Sequence, residues 1–194
     1  MINERLEYMR DNYEIIGGIK YMAPAPNPGH NRTLFYLGRI IENYMEDNNI
    51  GGYVFTDNID LYLPDGSMFQ PDLTVIKTEN ENLIDWYAPI SVVPDMVVEV
   101  LSKSTKHRDL TVKKDTYESV GVKEYWIVDP YMKCIDVYLL QEGKFIFGGE
   151  YQHYTEKEFV FLNVEEKAAV KNEVPVSILP GLKINLAQIF KWSL

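Results

Sequence analysis

Two short apolar runs, each with an acid set among its aliphatic residues, constrain this chain more than any other feature. They are Gln70-Pro71-Asp72-Leu73-Thr74-Val75-Ile76 and Pro94-Asp95-Met96-Val97-Val98-Glu99-Val100-Leu101-Ser102. Their β-branched and aliphatic content reads as strands with buried faces. A carboxylate in such a strand loses hydration at a cost of roughly several kcal/mol unless a cation, a metal or hydrogen bonds meet it. Two of them point to a site.

Alternation along a strand divides the side chains between two faces. Val97, Glu99 and Leu101 share one face, and Met96, Val98, Val100 and Ser102 the other; Asp72 lies on the face of Thr74 and Ile76. If the two strands are neighbours, Asp72 and Glu99 converge. Close carboxylates repel unless a cation lies between them, and hard oxygen ligands suit Mg²⁺ or Mn²⁺. This is phosphoester chemistry in outline, and it asks for a positive group to meet developing negative charge.

The segment after the second run supplies candidates. Lys103, Lys106, Arg108, Lys113 and Lys114 crowd a stretch in which Asp109 is the one acid. Asp109 to about Ser119 reads as a helix, with Gly121 beyond its end. Asp109, Lys113 and Tyr117 follow at four-residue spacing and line one face of it. Lys113 is therefore the preferred cation, its aliphatic stem crossing apolar surface to reach the acids.

The remaining pattern frames these elements. Tyr13 to Met22 reads as a hairpin turning on Gly17-Gly18. Ala23 to His30, rich in proline, reads as a loop, and Asn31 to about Asp47 as a helix with Leu34, Leu37, Ile40, Ile41 and Tyr44 on its apolar stripe. Tyr53 to Leu63 alternates like a strand, Lys77 to Ser91 reads as an exposed connection, and Glu124 to Val128 as another strand. The core order is helix, three strands, helix, strand. A further hairpin, Ile135–Leu140 with Lys144–Phe147, turns on Glu142-Gly143 and leads to a C-terminal tail. No composition shift marks a second domain, so residues 1–194 read as one unit: a core at about 31–130, an N-terminal hairpin at 13–22, and a C-terminal hairpin and tail at 133–194.

Composition limits the partners. The chain has 194 residues, 46% hydrophobic, with a formal net charge of −10. That balance argues against a surface coated in positive charge for gripping phosphate backbones. No apolar run approaches the roughly 18 residues of a membrane span, and the opening Met1-Ile2-Asn3-Glu4 lacks a secretory signal pattern; a cytoplasmic protein without membrane partners is expected. The lone Cys134 has no partner for a disulfide or a zinc site.

The combined motifs carry a resemblance. Pro71-Asp72, Val98-Glu99-Val100-Leu101-Ser102, Asp109-Leu110-Thr111-Val112-Lys113 with Tyr117, and Gly121 to Pro130 are similar to the Uma family of putative restriction endonucleases, a branch of the PD-(D/E)XK nuclease superfamily. The likeness runs from about Tyr13 to Pro180-Gly181-Leu182. It implies an α/β (α+β) restriction-endonuclease-like core with a mixed sheet and flanking helices, and divalent-metal-dependent hydrolysis of DNA. By the same resemblance Asp72 and Glu99 would be metal ligands, the Val100 carbonyl a third, and Lys113 the catalytic cation. Leu101 stands where the superfamily usually has its lysine, and in this branch that lysine moves to the following helix. Glu14, His30 and Tyr117 would be auxiliary; Lys103, Lys106 and Arg108 would contact nucleic acid. A homodimer or higher homo-oligomer and DNA as substrate are further implications.

Each of these residues has an ordinary reading beside that one. Asp72 after a proline also suits a turn, Glu99 a structural ion pair, Lys113 a solvated helix lysine paired with Asp109, Glu14 a cross-strand pair, and His30 a loop. Two rival functions stand: an inactive nuclease-fold module for binding nucleic acid or protein, which the net charge favours, and a glycosidase-like carboxylate pair, which lacks clustered sugar-binding aromatics near either acid.

Overall fold

The computed structural model describes residues 12–23, 25–56, 59–102 and 106–193. A hairpin of β1 (Tyr13–Ile16) and β2 (Ile19–Met22) comes first. Its turn is Gly17-Gly18, with φ of 56° and 78°, the doubly positive pattern that two-residue hairpins need and side chains resist. Helix α1 then spans Pro28–Asp47. It starts three residues earlier than the proline content suggests, because Pro28 occupies the first turn, where a missing N–H costs nothing, and Asn27 caps the end by accepting from the His30 N–H.

The sheet that organises the molecule has six strands in the order β10-β9-β8-β7-β6-β3: β3 (Gly52–Thr56), β6 (Leu73–Lys77), β7 (Met96–Val100), β8 (Glu124–Asp129), β9 (Cys134–Gln141) and β10 (Lys144–Gln152). The β7–β8 pair is parallel, and the other pairs are antiparallel. Between β3 and β6 the chain leaves for a smaller sheet, where β4 (Leu61–Tyr62) and β5 (Met68–Phe69) join the first hairpin in the order β2-β1-β5-β4. The expected single strand from Tyr53 to Leu63 is thus two strands in two sheets. The expected exposed connection after Lys77 includes a short helix α2 (Thr78–Glu81) and a buried Ile90 bridged to Leu61.

After β7 comes α3 (Lys106–Arg108), one π-helical turn over Asp109–Lys113, and α4 (Lys114–Val120). Taken in sequence, α1, β3, β6, β7, the 106–120 helix and β8 give the helix, three strands, helix, strand order. Beyond β10 lie α5 (Glu156–Phe159), α6 (Val164–Ala169), the β11 (Glu173–Pro175) and β12 (Lys183–Asn185) hairpin, α7 (Leu186–Ile189) and a 3₁₀ turn at Lys191–Ser193.

Strand alternation produces two apolar cores. On one face Leu73, Val75, Met96, Val98 and Val100 pack with Leu34, Leu37, Ile41 and Met45 of α1 and with the C-terminal elements. On the other, Ile76, Val97 and Leu101 pack with Phe69, Tyr117, Tyr125 and Ile127. Glu99 belongs to the second face, so the 106–120 helix covers it and α1 does not. Among the described residues no helix is long and apolar enough to cross a membrane.

Candidate active site

Strands β6 and β7 pair with Leu73 opposite Val98. Continuing that register one step sets Asp72 opposite Glu99, at the end of the sheet where β7 and β8 finish. The two acids are held differently. Asp72 keeps 20% of its side chain exposed, accepts from the Val100 N–H at 2.6 Å through Oδ2, and meets His30 Nε2 at 3.1 Å through Oδ1. His30 sits in the first turn of α1 and reaches Asp72 round the end of the sheet. Because a strand residue's N–H and C=O point to the same side, the Val100 carbonyl faces the Asp72 edge as well.

Glu99 is almost entirely buried. Its Oε1 accepts from the Tyr117 hydroxyl at 2.9 Å and meets Lys113 Nζ at 3.0 Å. Burial raises its pKa well above the ordinary carboxylate range against the pull of Lys113, since an apolar surround penalises the charged form. Lys113 is equally buried, and its ammonium also meets Glu14 Oε1 at 2.7 Å and Asp109 Oδ1 at 3.4 Å. Burial alone would lower its pKa, but Glu99, Asp109 and Glu14 outweigh it and the lysine is held protonated. Burial, reinforced by Glu99, pushes the Tyr117 hydroxyl up as well, leaving it a donor.

The π-helical turn is what lines these groups up. Four α-helical residues overshoot a full turn by about 40°, so Asp109, Lys113 and Tyr117 would drift round a regular helix. The wider π turn falls short of a full turn over Asp109 to Lys113, which offsets the α-helical overshoot from Lys113 to Tyr117. All three side chains are buried beneath the sheet. Glu14 arrives from β1, whose contact with β5 brings it to the Gln70 N–H at 3.2 Å.

Asp72, Glu99, Lys113, Tyr117, Glu14, His30 and Val100 therefore converge. The basic run does not act as a group. Arg108 turns inward, 3.6 Å from Glu14 Oε2 and over the Tyr21 ring, Lys106 pairs with Asp129 at 3.5 Å, and Lys103 lies outside the described residues. Asp109 was legible only as a helix neighbour of Lys113; its burial beside that lysine makes it part of the same charge cluster, and its place on the Lys113–Tyr117 line was the available signal. Gln70, which links Glu14 to Asp60 through a 2.9 Å side-chain bond, gave no signal, because its role depends on the first hairpin docking on β5.

Two carboxylates of different exposure, a strand-end carbonyl and a fixed ammonium can bind a hard cation and stabilise an oxyanion. Among the described residues no three His, Cys, Asp or Glu side chains stand together to hold a metal on their own. Mg²⁺ asks for less, commonly one or two carboxylates completed by water and phosphate oxygens. The donor set fits that pattern: the described bonds of Glu99 fall on Oε1, so Oε2 is the oxygen it can offer.

A mixed sheet carrying acids at this end, with a helix on each face, defines a restriction-endonuclease-like fold. The model of the Uma2 family, described as "Putative restriction endonuclease", matches residues 3–185, and the chain belongs to that family. Among solved structures it is similar to one from Anabaena variabilis ATCC 29413, described as "a putative nuclease belonging to DUF820", with 16% identity, 98% of each chain covered and a TM-score of 0.71. The type IIG restriction endonuclease BpuSI aligns over 63% of this chain and 13% of its own, at 14% identity and a TM-score of 0.37, too low to bear on the fold. No curated protein matches the chain.

Proposed function

We propose that this protein is a divalent-metal-dependent endonuclease that hydrolyses DNA phosphodiester bonds. The observation that carries the reading is Lys113: a buried ammonium delivered by the following helix to 3.0 Å from Glu99, although Leu101 fills the position two residues after the acid. Asp72, Glu99 and the Val100 carbonyl would hold Mg²⁺ or Mn²⁺. When bound there, such an ion polarises a phosphoryl oxygen and acidifies a coordinated water.

The chain's own residues do the rest. His30 and the Val100 N–H fix the Asp72 carboxylate from both oxygens, so it presents one orientation to the ion. Tyr117 and Lys113 hold Glu99 through Oε1. Glu14 and Asp109 anchor Lys113 and keep its proton at Nζ, so it acts as a fixed positive charge toward the attacking water and the phosphorane-like transition state, and not as a base. The test is cleavage of supercoiled plasmid with Mg²⁺ or Mn²⁺. Glu99→Ala should abolish nicking, and unchanged nicking by that variant would sink the assignment.

A further inference from the structure

Beside the first turn of α1 lies a cavity of about 280 Å³ lined by Gly29, Pro130, Tyr131, Lys133 and Trp192, among others. It opens at the same end of the sheet as the acids. Gly29 precedes His30, whose ring touches Asp72, and Pro130-Tyr131 follow β8, the parallel neighbour of β7. Ligands in sheets with parallel strands gather at the strands' carboxyl ends.

The aromatic wall is fixed but open. Trp192 donates from Nε1 to Thr33 Oγ1 at 3.1 Å. Its ring lies so close to Gly29 that a Cβ there would sit 2.7 Å from it, a contact only glycine permits. Yet Trp192 is 36% exposed and Tyr131 65% exposed, which is unusual for rings with so much apolar area to bury.

The neighbouring surface is positive in a chain of net charge −10. Arg32 and Arg39 are exposed on one side of α1 around Phe35, with Arg32 also bonded to the Tyr36 hydroxyl. Lys191, next to Trp192, lies over the Tyr36 ring. Acids on this helix are confined to its C-terminal half, at Glu42, Glu46 and Asp47. That order opposes the macrodipole, which favours acids at the N-terminus and bases at the C-terminus. Positive charge, dipole and exposed rings thus lie together along α1 and beside the cavity.

We propose that this cavity is a stacking slot for an unpaired nucleobase of the DNA strand, with Arg32, Arg39 and Lys191 following its phosphates. The slot takes its partner from the nuclease reading above. An unpaired base presents a flat face to Tyr131 and Trp192, while a base inside a duplex has both faces covered by its neighbours. The enzyme therefore prefers single-stranded or locally opened DNA near the cut.

The test is fluorescence anisotropy of a short labelled thymidine oligomer with the full chain in chelator, so that binding is read without cleavage. A duplex of equal length serves as the comparison. The wild type should bind the single strand more tightly than the duplex. Tyr131→Ala and Trp192→Leu should each weaken single-strand binding at least about fivefold and leave duplex binding unchanged, while Tyr131→Phe retains it. Because Trp192 also packs on Gly29, the exposed Tyr131 position decides, with a thermal melt confirming that both variants fold. Equal single-strand binding by Tyr131→Ala and the wild type, or equal losses for duplex and single strand, overturns the slot. The nuclease reading fails separately: a wild type that cuts nothing but binds the oligomer through Tyr131 keeps the slot and loses the catalytic assignment.

Discussion

Lys113 has two jobs in one position. Its ammonium is the shared ion-pair partner of Glu14, Glu99 and Asp109 in an apolar surround, so its removal strands buried acids as well as taking away the proposed catalytic charge. Lys113→Met is expected to lower unfolding stability by about 3–5 kcal/mol, read as a shift in the urea midpoint. A surface lysine would leave that midpoint within error. A different residue, Glu124, tests how far the C-terminal elements depend on the central sheet. It is fully buried, and its carboxylate accepts from Trp126 Nε1 at 2.7 Å, Ser177 Oγ at 2.6 Å and the Ile178 N–H at 3.0 Å. Glu124→Gln turns an amide toward at least one donor and should cost about 1–3 kcal/mol in the same denaturation experiment, with no effect if those bonds are incidental. Sequence could raise the question of Lys113 because two isolated acids require a cation. It could not have found Glu124, since two of the three groups that make its burial tolerable lie more than fifty residues away, at Ser177 and Ile178.

The π-helical turn makes a prediction of its own. Deleting Thr111 removes the extra residue and lets the segment close as a regular α-helix, in which Asp109 and Lys113 stand three residues and about 300° apart, so Asp109 swings away from the Lys113–Tyr117 line. Helical content by circular dichroism should persist while plasmid nicking falls at least about a hundredfold; retained nicking would show that the wide turn is incidental. At α5 a different device sets acid stability. Thr155 and Glu158 form a reciprocal capping box, and hydrogen bonds from Thr155, with help from Lys133, lower the Glu158 pKa to about 2. A depressed carboxylate stabilises the fold above its unfolded pKa and loses that contribution as pH falls toward its folded value. Thr155→Ala should therefore reduce the melting temperature at pH 7 by more than at pH 2. Periodicity located the core helices and strands but not this turn, because i, i+4 spacing looks the same whether or not one turn is wide. It also merged β3 with β4, whose alternation is continuous although the two pair in different sheets.

At the scale of the molecule, ion binding and charge distribution are separable. Mn²⁺ at saturating concentration should raise the melting temperature by mass action, and Asp72→Asn should remove the shift; no shift in the wild type would exclude a site at Asp72. With three cations proposed along the strand, single-strand affinity should fall with the logarithm of salt at a slope of about −2, shallow for a DNA-binding protein. The overall order of the core was legible because each piece is local, whereas the placement of the first hairpin was not: Glu14 reaches Lys113 only through the docking of β1 on β5. That long reach sets when the pocket can close. As the chain leaves the ribosome, Glu14 and Glu99 emerge before the lysine that pairs with both. The two acids therefore have no shared counter-charge until more than half of the chain has been made, and a nascent chain stalled short of Lys113 lacks the ammonium that draws the first hairpin and the central sheet together.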